Sequence, residues 1–217
     1  MGSDEIVVSD LHCYDISGTK SGHLLLAREG GIDVLDAKSK EFLRTLEFQL
    51  YVFTVDVYKD IVIIGVRLSE REKEIVVLSK EYDVLRRWPI PESTQDFTAV
   101  DDKIFLSVAD ESTSNIKVFS INGERLLHAD IIWNGRVAGI TSVLPCSLIY
   151  DDRTEHKVYK QCVTTGRRRK EWAAPVTAPH CLCVDANGLI WVRSNANDSL
   201  TILNRDGKCR QIVAYCP

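Results

Sequence analysis

The residues best suited to chemistry are Cys181 and Cys183, with His180 directly before them and His12-Cys13 far upstream. Thiolate and imidazole are zinc ligands, and residues i and i+2 of a strand point to one side, so both sulfurs could approach one point. A structural zinc site wants four ligands, commonly from Cys-x₂₋₄-Cys knuckles, and Cys-x-Cys lacks that geometry. Thiols packed as small core hydrophobes are the expected reading, and no metal or other cofactor is expected.

A second group is acidic. Asp15, Asp56, Asp96 and Asp185, with His180, fall on or at the ends of the runs expected to be innermost strands. Carboxylates converging from several such strands could hold calcium or perform metal-dependent hydrolysis. Asp at a strand end more often closes a turn, and the chain has no phosphate loop, nucleophile elbow or His-Glu-x-x-His run. A catalytic role is therefore not expected, with a metal-dependent hydrolase kept as the enzyme alternative.

A third group is basic. Arg167-Arg168-Arg169-Lys170 could grip phosphates, but it follows Thr165-Gly166 in a hairpin and reads as a charged edge strand that resists sheet-to-sheet pairing. The net charge of −4 also argues against DNA as a partner, because phosphate affinity needs concentrated Lys and Arg. No apolar run approaches the length of about 18 residues that crosses a bilayer, so no membrane partner is expected. Seven cysteines, an odd number, suit reduced thiols and a cytoplasmic or nuclear location.

All these side chains must be positioned by strands. Apolar third-strand anchors recur at Leu35, Leu78, Phe119, Tyr159 and Leu203, spaced by 43, 41, 40 and 44 residues. Spacings of about 40 to 50 are those of four-stranded propeller blades, which cannot bury their faces alone and must stack. No sustained 3.6-residue period occurs, and 45% hydrophobic with 27% charged residues is ordinary for a folded domain. Asn122-Gly123 between apolar runs signals a hairpin in which both central residues have positive φ, with Arg125-Leu126-Leu127-His128 as the outer strand. Glu5-Ile6-Val7-Val8 reads as an extra strand pairing with the last blade. The expected fold is all-β, a single propeller domain of five blades (six is the alternative), with repeats at 5–48, 49–91, 92–134, 135–176 and 177–217.

Two phrases sharpen this reading. His180-Cys181-Leu182-Cys183-Val184-Asp185-Ala186-Asn187-Gly188-Leu189-Ile190-Trp191-Val192 and Ile202-Leu203-Asn204-Arg205-Asp206-Gly207-Lys208 resemble an NHL repeat, and Ile116 to Glu124 is similar. The resemblance implies a propeller of the kind found at the recognition end of tripartite-motif ubiquitin ligases. RING and B-box ligand patterns are absent from this sequence, so no ubiquitin-transfer chemistry follows from it.

The expected working surface is the end carrying the loops between blades. Its candidates are Arg28, Phe48, Arg71, Trp133, Asn134, Arg136, Arg153 and His180, with Trp133 and Arg136 as the anchor because Trp and Arg dominate binding hot spots. A protein or peptide is the expected partner. RNA is second, through a ring of Arg28, Arg71, Arg136 and Arg153; a small molecule or sugar is third.

Overall fold

The computed structural model describes residues 13–109, 114–133, 135–143, 146–163, 169–185, 187–196 and 199–214. Glu5 to Val8, His12, Asn134 and Arg167-Arg168 lie outside them. The chain divides into two compact units, one ending at Glu92 and the other beginning at Ser93.

The first unit is a sheet in the order β1 (Cys13–Gly18), β2 (His23–Asp36), β3 (Phe42–Tyr58), β4 (Ile61–Arg67), β5 (Lys73–Leu78) and β6 (Val84–Ile90). It resolves into two blades, because β2 folds back on itself. The Ala37 N–H donates to the Gly22 carbonyl at 2.8 Å, so the two ends of β2 lie side by side. The turn falls at Glu29-Gly30, where Gly30 takes φ 84, a left-handed value that costs glycine nothing. The first part of β3 then pairs with Gly31 to Leu35 as an outer strand. Its second part pairs with β4 as the innermost strand of the next blade.

The second unit holds three four-stranded antiparallel sheets. They are β7 to β10 (Thr94–Val100, Lys103–Ala109, Ser114–Ser120, Ile131–Trp133), β11 to β14 (Ile140–Val143, Ser147–Asp152, Lys157–Cys162, Arg169–Pro175) and β15 to β18 (Pro179–Val184, Ile190–Ser194, Ser199–Leu203, Cys209–Ala214). Strands follow one another in chain order, so every sheet is built from local hairpins.

Stacking explains the sequence pattern. Middle strands such as β4 and β12 are buried without alternation because each face meets a different neighbour. Leu148 and Tyr150 of β12 pack with Phe105, Ile116 and Val118 of the preceding blade. Ile149, between them, packs with Ile190, Val192 and Leu203 of the following one. In the first unit Leu25, Ile32 and Val34 meet Val55, Ile64 and Val76 in the same way. The outer strand β6, by contrast, leaves Arg86 and Arg87 exposed.

Three expectations need correction. At Asn122-Gly123 only the glycine has positive φ, at 91. The turn is longer, because Ser120 Oγ accepts the Asn122 and Glu124 amides at 3.3 and 3.1 Å, holding a four-residue loop. The outer strand of that blade is Ile131–Trp133, not residues 125–128, since Leu127–Ala129 forms a 3₁₀ turn. There the Asp130 carboxylate, held by Arg125, takes the Val118 amide in place of a ladder carbonyl, at 3.1 Å. Finally, Cys13, Cys181, Cys183 and Cys209 are exposed rather than packed in the core. In β15 the alternation turns Leu182 and Val184 to the core, which leaves Cys181 and Cys183 on the other side.

Candidate functional site

Antiparallel order puts the loops between blades and the loops between second and third strands at the same end of each blade. In the first unit that end carries Arg28, Phe48 and Arg71. Arg28 is consumed by acids: Nε lies 3.0 Å from Asp33 Oδ1, and Nη2 is 3.4 Å from Glu47 Oε1. Phe48 is inside β3, half-buried against the core, and not in a loop. Arg71 stands exposed between Glu70 and Glu72 in the loop after β4.

At this end of the first unit lie Tyr14, Tyr51 and Phe53, which the sequence reading missed. Four innermost strands begin with a bulge: β1 between Cys13 and Asp15, the second part of β3 between Val52 and Thr54, β7 between Thr94 and Asp96, and β15 between Pro179 and Cys181. The inserted residues are Tyr14, Phe53, Gln95 and His180, and a bulge re-aims its side chain. Tyr14, 42% exposed, meets Tyr51 with ring centroids 4.4 Å apart. The Arg67 guanidinium lies 4.8 Å above Tyr51, and Lys73 Nζ lies 4.9 Å from the Phe53 ring. Burial, then the Arg67 charge, lowers the Lys73 ammonium pKa to about 8. No local pattern flags this row, because its members come from β1, β3, β4 and β5.

In the second unit the corresponding end gathers Arg136, Arg153 and His180. The Arg136 carbonyl accepts the Arg153 amide at 2.9 Å. His180 is held below the usual imidazole range by burial, then by the charges of Arg153 and Arg193; its Nδ1 is 3.0 Å from Cys181 Sγ. Trp133, expected in a loop, is the last residue of β10, opposite Ser114.

Asp151 of β12 lies at this end as well. It is fully buried, and its Oδ1 accepts the Ala138 and Gly139 amides at 2.7 and 3.0 Å. Its Oδ2 and the Arg153 Nε have no hydrogen-bond partner and face one another at 3.9 Å. Burial pushes the Asp151 carboxyl up to about 7, against those two amides and Arg153.

The acids considered for catalysis are structural acceptors. Asp15 Oδ2 takes the Thr54 hydroxyl and the Val55 amide of the next blade, both at 2.8 Å. Asp96 Oδ2 takes the Ile140 amide of the next blade at 3.0 Å. Asp185 Oδ1 accepts the Asn187 and Leu189 amides, each at 2.9 Å. Among the described residues no three His, Cys, Asp or Glu side chains gather as metal ligands.

No protein-family model matches the chain, and no curated protein matches it in sequence. Solved structures do. A Bacteroides caccae protein of unknown function superposes with TM-score 0.69 at 12% identity, over 95% of this chain and 83% of the other. The β-propeller domain of Myceliophteria thermophila Cps50 (Swd1) gives TM-score 0.67 at 12% identity, over 94% and 73%. A streptogramin B lyase gives 0.66 at 15%, over 98% and 72%. The chain has the β-propeller fold. Such identities carry the fold alone, and a fold hosts many functions.

Proposed function

We propose that this chain is a non-catalytic recognition propeller that binds a protein or peptide through the inter-blade loop end. One observation carries the reading: at that end of the first unit Tyr14 lies tilted against Tyr51, and Arg67 lies over the Tyr51 ring. Tyr and Arg dominate protein hot spots because they offer large, rigid, partly polar surfaces. Here three elements already hold them in place, which cuts the ordering cost of binding. The acids that catalysis would need are engaged in backbone bonds instead. RNA is less well supported, since Asp33 and Glu47 already engage Arg28, and Asp151 lies beside Arg153. The NHL-like phrases support a finer reading, a substrate-recognition module of a ubiquitin-ligase-type protein, in the cytoplasm.

The test is selection of binders from a displayed random peptide library, followed by Kd measurement on Tyr51→Ala and Arg67→Ala proteins. The selected peptides should lose at least about tenfold in affinity, roughly 1.4 kcal/mol. Peptides that bind both variants as tightly as the original protein would overturn the reading. A steep fall of affinity with salt for single-stranded RNA, with no peptide selected, would favour RNA instead.

A further inference from the structure

We propose that the second unit also binds a small organic acid, an apolar body bearing one carboxylate or phosphoryl group, at the end opposite the inter-blade loops. This site is independent of the recognition surface above. A cavity of about 570 Å³ opens between the last two blades, within the range of roughly 300 to 1,000 Å³ typical of small-ligand pockets. Val143 and Val184 give it an apolar wall, and Lys160 and Arg205 give it positive charge.

Arg205 is set in place by its surroundings. Its Nη2 donates to the Asn187 carbonyl at 3.3 Å, and its own carbonyl accepts Trp172 Nε1 at 2.9 Å. Its guanidinium lies against Gly188, where a Cβ would come within 2.2 Å of Nε, so the glycine makes the room. A guanidinium fixed before binding loses little freedom when a carboxylate or phosphoryl oxygen arrives, and its planar fork suits both.

Asp185, the acid among the described lining residues, does not answer Arg205. Its oxygens are taken by the Asn187 and Leu189 amides and by Trp191 Nε1, at 2.9, 2.9 and 3.1 Å. Those bonds hold the Asp185 pKa below the ordinary carboxylate range, so this acid is committed to its own turn and to Trp191 rather than to Arg205. A monoanion or dianion with an apolar body fits the held Arg205 fork beside the Val143 and Val184 wall, and a neutral molecule of the same shape does not.

The experiment is a two-dimensional amide NMR titration of the full chain with benzoate, phenyl phosphate and neutral benzamide. Saturable shifts confined to residues around Val143, Val184, Gly188 and Arg205 are expected for at least one anion, with benzamide weaker by about tenfold or more. Whichever of benzoate and phenyl phosphate binds more tightly names the acid group. Arg205→Gln and Lys160→Gln, neither a core residue, should each weaken the anion by about tenfold, and Arg205→Lys should recover part of the loss. Absence of saturable shifts, equal binding of benzamide, or a Kd unchanged in Arg205→Gln would each overturn the proposal.

Discussion

The Asp15 carboxylate accepts the amide hydrogen of Val55 at 2.8 Å, tying the innermost strand of one blade to that of the next. Asp96 repeats the tie with Ile140 at 3.0 Å. Adjacent innermost strands share no ladder bonds, so a side-chain acceptor satisfies an amide that stacking alone would leave bare. Desolvation raises the Asp15 pKa, while its bonds to Val55, Thr54 and Ile16 oppose that rise.

Removing the tie should cost stability. Asp15→Ala removes the carboxylate that accepts hydrogen bonds from the Val55 amide and the Thr54 hydroxyl, and hydrogen bonds to charged groups contribute about 1.5 to 3 kcal/mol. Urea unfolding should show a loss of about 2 kcal/mol or more, with Asp15→Asn recovering part of it. A loss below about 0.5 kcal/mol, the usual range for a surface change, would show that the tie contributes little.

Asp151 makes stability depend on pH. Its folded pKa, about 7, lies above its ordinary value of 3.8. Between those values the folded chain keeps a proton that the unfolded chain has released. The contribution is therefore present below about pH 4 and is lost as pH rises through 7, at no more than roughly 1.4 kcal/mol per pH unit. His180, with a depressed pKa, acts with the opposite sign. Asp151→Asn keeps an acceptor for Ala138 and Gly139, and it should flatten the Asp151 part of the profile. An unchanged difference in stability between pH 5 and pH 7 in that variant would refute the assignment.

Gly31 should tolerate no side chain. A Cβ there would come within 2.1 Å of the Leu46 carbonyl oxygen, which is backbone and cannot swing away. Gly31→Ala should therefore lower stability by about 2 kcal/mol or more, as overpacking does. Gly18, with nothing within 4 Å of its Cβ position, is the control, and Gly18→Ala should have little effect. Equal thermal midpoints for the two variants would contradict this.

Much of the fold was legible because its signals are local. Leu78, Phe119, Tyr159 and Leu203 fall on third strands and are buried, since a middle strand needs apolar residues wherever the chain runs. The turn type at Asn122 was not legible, because the Ser120 side chain decided it. Trp133 reads as loop by composition yet ends a strand, since Asp130 lets the ladder resume after the 3₁₀ turn. Cys181 and Cys183 looked like core residues by type, but the facing of β15 set their exposure.

The sequence by itself determined an all-β chain of repeating hairpins, because apolar runs, turn glycines and a blade-length spacing are all read along the chain. Tertiary structure decided which side chains share an end. Tyr14, Tyr51 and Arg67 meet only because bulges and register align three strands. Asp151 is an ordinary aspartate until two stacked blades exclude water from it, and Arg205 is an ordinary surface arginine until Gly188 lets it lie flat. Register and stacking are set by contacts distant along the chain, so short-range patterns do not contain them.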